Sequence, residues 1–430
     1  MSQLKVDGAM FLDGKRRTIT AEDGIITEVT PEGTSTVEAD VVIDGRGLLA
    51  MPGLCNAHTH APMSLLRGLG EDLELKDWLE RCIWPVEARM KDEHLRAGMA
   101  LACLEMIRTG TTFFNDMYFS EGQTAEEVRT MGLRAVLGEG FIDLFDEERR
   151  EAAMKRTLDA LKGIEMLKDD RIRGALAPHA PYTVSREGFE WCMSEARERG
   201  LTVHVHLSET ETEVKASFRE HGCSPVRVLD GYGALADRTV AAHCVHLSDE
   251  DAELLGGRGV RAVHLPASNM KLSVGGQMRL PLLRHRGVPV VLGTDGAASN
   301  NSLDMFQSMK LASLLCKHGN GAASIKAMDV IDMATSTGYQ ALGINGGRLE
   351  EGCVADIILL DLDHVSMVPG NDPSSDIVHS ASGACVRYTI VGGRVLMENG
   401  RVKGEGKIIR TARRMAEDLR GGQRSEEAEE

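Results

Sequence analysis

The residues in this chain best suited to chemistry are histidines spaced to meet at one ion. Met51–His60 reads M-P-G-L-C-N-A-H-T-H and sets His58 and His60 two positions apart at the end of a short apolar run. On a strand, residues two apart share a face and lie roughly 7 Å from each other, so both imidazoles can lean toward a common divalent ion. Two such residues alone also fit an ordinary pair of core or surface histidines, so the reading turns on whether the chain supplies further ligands. His206 in H-L-S-E-T and Asp295 in G-T-D-G supply them. Three nitrogens and one carboxylate leave a position for water, which is the composition of a catalytic rather than a structural zinc site.

Other candidates stand nearby in the same pattern. His179, His243 and His264 each fall at or near the end of an apolar run. Glu209, three residues past His206, would open the loop over the metal, where a carboxyl group can shuttle a proton; its plainer role is a helix-start glutamate before Thr212. His243, in A-A-H-C-V-H, would point a nitrogen at the water. His204 shares strand parity with His206 but sits deeper. It reads as a core or supporting residue whose removal should leave metal and turnover intact. His246 falls in a loop and is given no chemistry.

These residues need a scaffold that brings many strand ends to one rim. Eight apolar runs read as strands: Leu54–His60, Thr111–Asp116, Arg134–Gly138, Ile172–His179, Thr202–Leu207, Thr239–Cys244, Arg261–Pro266 and Val288–Asp295. Helical patterns alternate with them. Eight βα repeats predict an α/β fold, a (β/α)8 TIM-type barrel, whose sites lie at the carboxyl ends of the strands. No strand is followed by G-x-G-x-x-G, so a dinucleotide-binding doubly wound sheet lacks support. Short β-rich runs on either side predict a small β-sandwich built from both chain ends. Its N-terminal part is 1–52, the barrel 53–345 and its C-terminal part 346–410. Residues 411–430 read as a short helix, Thr411–Arg420, followed by an acidic disordered tail.

Composition bounds the function. The chain has 430 residues, enough for a barrel with appendages. Its nine cysteines are scattered, with no C-x-x-C pair, and read as reduced thiols rather than a disulfide framework. No apolar run reaches about 20 residues and the first residues carry charge, so a cytoplasmic protein is expected. A net charge of −16 disfavours a polynucleotide substrate but admits a single nucleoside. The expected partners are a small-molecule substrate and further copies of the chain, as a dimer or tetramer, with neither nucleic acid nor membrane.

Six ordered blocks carry a resemblance. P-G-L-C-N-A-H-T-H, A-P-H-A-P-Y (177–182), H-L-S-E-T (206–210), A-A-H-C-V-H-L (241–247), P-A-S-N-M-K-L (266–272) and G-T-D-G-A-A-S-N-N-S-L-D-M (293–305) resemble the amidohydrolase superfamily. Within it they are most similar to the S-adenosylhomocysteine, methylthioadenosine and 5'-deoxyadenosine deaminases. The resemblance spans roughly residues 1–410. It implies one divalent metal per subunit, usually zinc, held by His58, His60, His206 and Asp295. It also implies substrate contacts from Glu87 in W-P-V-E-A-R and from His179, with Glu209 beside the purine ring and His243 near the attacking water. The family's arginine after the third strand has two loose matches, Arg149 and Arg150, and is not assigned.

The activity so implied is hydrolytic deamination at purine C6 of a 5'-modified adenosine, giving the inosine derivative and ammonia, a salvage step for S-adenosylmethionine by-products. Asp295 would accept the proton of the attacking water and Glu209 would protonate N1. Glu87 suits a ribose diol, two hydroxyl donors facing one carboxylate, with Trp84 as its aromatic neighbour. The competing activities are a triazine chlorohydrolase or a guanine or cytosine deaminase, which offer Glu87 no diol. A binuclear amide hydrolase would need a lysine on the fourth strand, which has none. A non-catalytic interaction protein would show gaps among the ligands, and there are none.

Overall fold

The computed structural model describes residues 3–73 and 75–426. Its centre is eight parallel strands in chain order: Leu54–Thr59, Thr111–Tyr118, Arg134–Phe141, Ile172–Pro178, Thr202–Leu207, Thr239–His243, Arg261–His264 and Val290–Leu292. They are buried along almost their whole length, as expected of a parallel sheet covered on its outer face by helices and packed within. One residue from nearly every strand (Cys55, Phe113, Val136, Ala175, Val240, Val263 and Val291) joins Tyr339 in a single apolar cluster. The ladder runs from the first strand to the eighth. Across the remaining seam Asp295 N–H donates to the His58 carbonyl at 3.0 Å. There the Asn56 side chain donates to Thr294 Oγ1 at 2.7 Å and accepts from Thr294 N–H at 2.9 Å.

Two strands depart from the expected bounds in a way that matters. The eighth is only Val290–Leu292, so Asp295 lies beyond the strand, in a left-handed conformation at φ +64°. In the first, the pairing register shifts between Asn56 and Thr59, around His58. Such irregularities re-aim side chains beside functional sites.

The flanking β unit is one nine-stranded mixed sheet drawn from both chain ends. Leu48–Pro52 pairs antiparallel with Ile357–Asp361, with Ala50 opposite Leu359. The sheet turns back on itself, and a bridge between Ile25 and Val354 joins its far edge to the approach of Ile357–Asp361. It encloses its own core of Leu4, Val6, Ile19, Ile26, Ile357 and Leu359.

A buried ion pair ties this sheet to the barrel. Arg134, which opens the third barrel strand, reaches Asp356 through Nε at 2.8 Å and Nη2 at 3.1 Å. Asp356 also accepts from Tyr339 Oη and Gly392 N–H. Arg134→Met would leave the Asp356 charge buried without its cation. It should lower the unfolding free energy by about 3–5 kcal/mol, read from urea titration.

The C-terminal expectation is corrected. A helix runs over Glu405–Glu426, beginning before Thr411 and continuing past Gly421, where disorder was expected; residues 427–430 lie outside the described residues. Ala412, Met415 and Leu419 recur at helical spacing and are buried, and the helix packs on Asp92–Arg108 and Ala61–Leu66. Among the described residues no helix is long and apolar enough to cross a membrane.

Candidate active site

The expected residues converge at the carboxyl rim of the barrel. His58 lies next to the end of the first strand and His60 follows it; His206 lies on the fifth strand, and His243 ends the sixth. His60 Nε2 is 3.3 Å from His206 Nε2 and 3.2 Å from Asp295 Oδ1. His58 Nε2 is 3.3 Å from the same carboxylate oxygen. Two overlapping triplets could hold a metal ion: His58, His60 and His206, and His58, His243 and Asp295.

Ring protons can be assigned where the partner only accepts. His60 Nδ1 faces the Met117 carbonyl at 2.6 Å and His206 Nδ1 faces the His179 carbonyl at 2.9 Å. Each Nδ1 therefore carries the proton, which leaves both Nε2 lone pairs aimed at one point. His58 Nε2 is buried without a hydrogen-bond partner. Three imidazole nitrogens and a carboxylate oxygen about one point fit a divalent cation.

Electrostatics agree. Burial lowers the His58 ring to about 4 and pushes His206 well below the usual histidine range, so both are neutral ligands at pH 7. Burial opposes charge on His60 too, but the Asp295 carboxylate outweighs it and raises the ring to about 9, so without a cation a proton takes the Nε2 position that a cation would displace it from. Positive charge is favoured where these groups meet. Burial alone would raise the Asp295 carboxyl, yet the His58 and His60 rings hold it well below the carboxylate range. Asp295 Oδ2 accepts from Ser268 Oγ at 2.5 Å and Ser299 Oγ at 3.0 Å.

Around this point stand the other expected groups. Glu209 is buried, burial raises its carboxyl, and it lies 3.7 Å from His243 Nδ1. His243 Nδ1 faces Asn269 Oδ1 at 2.9 Å, an acceptor, so the ring's other nitrogen keeps its lone pair. His179 follows the fourth strand, its ring 4.7 Å from that of His206, with Nδ1 at 2.9 Å from Thr183 Oγ1; burial lowers it to about 3. Ser208, His243, Cys244 and Asp295 all have φ between +47° and +72°. Strained non-glycine backbone at three strand ends is the kind of cost that clusters at functional sites.

Glu87 lies at this rim with a different neighbour from the one expected. Trp84 is largely exposed, and the aromatic group at the carboxylate is Tyr118, whose hydroxyl donates to Glu87 Oε1 at 2.5 Å. Burial raises the Glu87 carboxyl, which the Tyr118 bond and the His60 charge oppose. Arg149 and Arg150 sit in the first turn of the helix Glu147–Met166, and no hydrogen bond among the described residues joins either to the histidines. His264 ends the seventh strand, buried and lowered to about 4, but belongs to neither metal triplet. His246 bonds the Val274 carbonyl at 2.7 Å.

Several supporting residues escaped the sequence reading. Ser268 and Asn269 fall in P-A-S-N-M-K-L and Ser299 in G-A-A-S-N, blocks quoted for resemblance but given no role. Glu213 accepts from the backbone N–H of Ser208 at 2.9 Å and of Glu209 at 2.7 Å, holding the turn that carries Glu209. Its signal was the acidic residue three past Thr210, a helix-start spacing. His204, expected to be an inert control, touches His58 directly: the two rings meet at 2.7 Å between Nε2 and Nδ1.

Residues 49–396 match the amidohydrolase family. The chain is 45% identical over 422 residues to a 5'-deoxyadenosine deaminase of Methanothermobacter thermautotrophicus, covering 97% of this chain and 98% of that one. It is 47% identical over 363 residues to a 5-methylthioadenosine/S-adenosylhomocysteine deaminase of Thermococcus sibiricus, covering 84% and 85%. Among solved structures it is similar to an adenosine deaminase from Xanthomonas campestris with bound zinc, with a TM-score of 0.92 and 32% identity over 98% of this chain and 99% of that one.

Proposed function

Because the chain belongs to the amidohydrolase family, we propose that it hydrolyses the C6 amino group of 5'-modified adenosines, releasing ammonia and the inosine derivative. Its substrates are 5'-deoxyadenosine, S-adenosylhomocysteine, methylthioadenosine and adenosine. The observation that carries this reading is the meeting of His58, His60, His206 and Asp295 at one point, with a buried proton carrier, Glu209, on one side and a diol-competent carboxylate, Glu87, nearby.

One divalent ion, zinc in this reading, would be held by His58, His60, His206 and Asp295 and would lower the pKa of water toward about 7. The chain's residues do the rest. Asp295, ionised and braced by Ser268 and Ser299, takes the proton of the attacking water and later relays it to the leaving ammonia. His243, its Nδ1 proton engaged by Asn269, presents an acceptor nitrogen that orients that water. Glu209, whose carboxyl burial raises, donates to ring N1 as C6 is attacked and regains a proton from the C6 hydroxyl as the carbonyl forms, and Glu213 fixes the backbone on which it stands. Glu87 takes one hydrogen bond from Tyr118 and has lone pairs left for two ribose hydroxyls. His179, its Nδ1 held by Thr183, is free to meet the substrate through its other nitrogen.

The direct test is a panel of these four nucleosides, with guanine and cytosine as controls, scored for ammonia release as kcat/KM. Turnover of a free base or a triazine in preference to the nucleosides would overturn the reading. A charge-assisted bond to a buried hydroxyl contributes about 1.5 to 3 kcal/mol. Glu87→Ala should therefore cost roughly 10 to 100-fold in kcat/KM for adenosine-type substrates, and less for a 2',3'-dideoxy analogue. Equal penalties on both substrates would show that Glu87 does not read the diol.

A further inference from the structure

His60 and His206 have their Nδ1 protons held by carbonyl oxygens, which only accept. His58 is different. Its Nδ1 lies 2.7 Å from Nε2 of His204, a wholly buried ring that can donate or accept, with the ring planes 89° apart. His58 can offer its Nε2 lone pair only if its own proton sits on Nδ1 and His204 Nε2 accepts it. If His204 carries its proton on Nε2 instead, His58 is forced to carry its proton on the nitrogen that faces the ligand point.

The far side of His204 decides between these states. The Asp116 backbone beside the ring favours a proton on it. Asn115 Nδ2, a donor, also lies 3.1 Å from Nδ1 and favours the opposite state. Asn115 Nδ2 has a second acceptor in the Ala57 carbonyl at 3.0 Å, so it can give up the histidine without being orphaned.

We propose that His204 is a positioning residue for the metal: by accepting the Nδ1 proton of His58 it turns the His58 Nε2 lone pair toward the ion. The inference rests on the metal site proposed above. Removing the group that orients a ligating histidine weakens metal binding by about 10 to 100-fold. His204→Phe keeps the ring's bulk without an acceptor, whereas His204→Gln can still accept through Oε1.

The test is zinc affinity by competition with a chelator, with the thermal unfolding of each metal-free protein measured alongside. His204→Phe should bind zinc roughly 10 to 100-fold more weakly than the wild type, and His204→Gln should recover at least part of that loss. Wild-type affinity in His204→Phe, or equal weakness in both variants, would overturn the inference. Should His204→Phe fail to fold, 15N spectra of histidine-labelled, zinc-loaded wild type decide it: His204 protonated on Nδ1 supports the role, and protonation on Nε2 refutes it. His206→Ala separates the two readings. If it binds zinc as tightly as the wild type, the metal site itself is wrong, whereas loss in His206→Ala with none in His204→Phe refutes the positioning role alone.

Discussion

Asp295→Ala should abolish nearly all turnover, a loss larger than the about 10² to 10⁴ that proton transfer alone supplies. The residue stands at the crossing of two duties. Its Oδ1 lies within 3.3 Å of both His58 and His60, so removing it strips a charge from the point where positive charge is favoured. Its carboxyl is held ionised, and in the proposed mechanism it accepts the proton of water. Asp295→Asn separates the duties, since an amide oxygen can still face the metal but cannot take the proton. It should retain more zinc than Asp295→Ala while staying nearly inactive. Metal analysis of both purified variants beside their kcat values checks this, and a fully active, zinc-replete Asp295→Ala would refute the assignment.

Glu209→Gln should lower kcat by roughly 10² to 10⁴ with zinc content unchanged. The amide keeps the shape and can still donate a hydrogen bond, but it cannot deliver a proton to N1. The pH dependence carries the sign. In the proposed mechanism the competent form of Glu209 is the protonated acid, and burial raises its pKa, so activity due to it should be present at low pH and lost as pH rises through the raised value. In Glu209→Gln that falling limb should disappear from the kcat profile. Were Glu209 only a helix-start residue, kcat would stay within about a few-fold and the change would appear as a small loss of thermal stability.

Much of this site was legible because a barrel converts one-dimensional spacing into a ring. Residues that end successive parallel strands must meet at the same rim whatever the loops do, so His58, His206 and His243 could be brought together from strand parity and order alone. Asp295 was legible by type but not by place. It was expected to end a strand and instead follows Val290–Leu292 in a left-handed turn, aimed at the ligand point by its backbone bond to the His58 carbonyl. Thr411–Arg420 was read as a short helix; the helix runs over Glu405–Glu426 and docks through Ala412, Met415 and Leu419, whose burial only the packing of the chain shows.

The sequence by itself determined the repeating strand and helix pattern, the identity of the polar groups at strand ends, and so the kind of chemistry this chain can do. Those features follow from local periodicity and residue type, which survive without knowledge of the neighbours. Only the tertiary structure decided which nitrogen of His60 and of His206 carries its proton, that Tyr118 rather than Trp84 holds Glu87, that Glu213 pins the turn bearing Glu209, and that His204 stands behind His58. The partners in each case lie on different elements, from 4 residues apart for Glu209 and Glu213 to 146 for His58 and His204. A hydrogen bond depends on distances of a few tenths of an ångström between atoms that spacing along the chain does not specify.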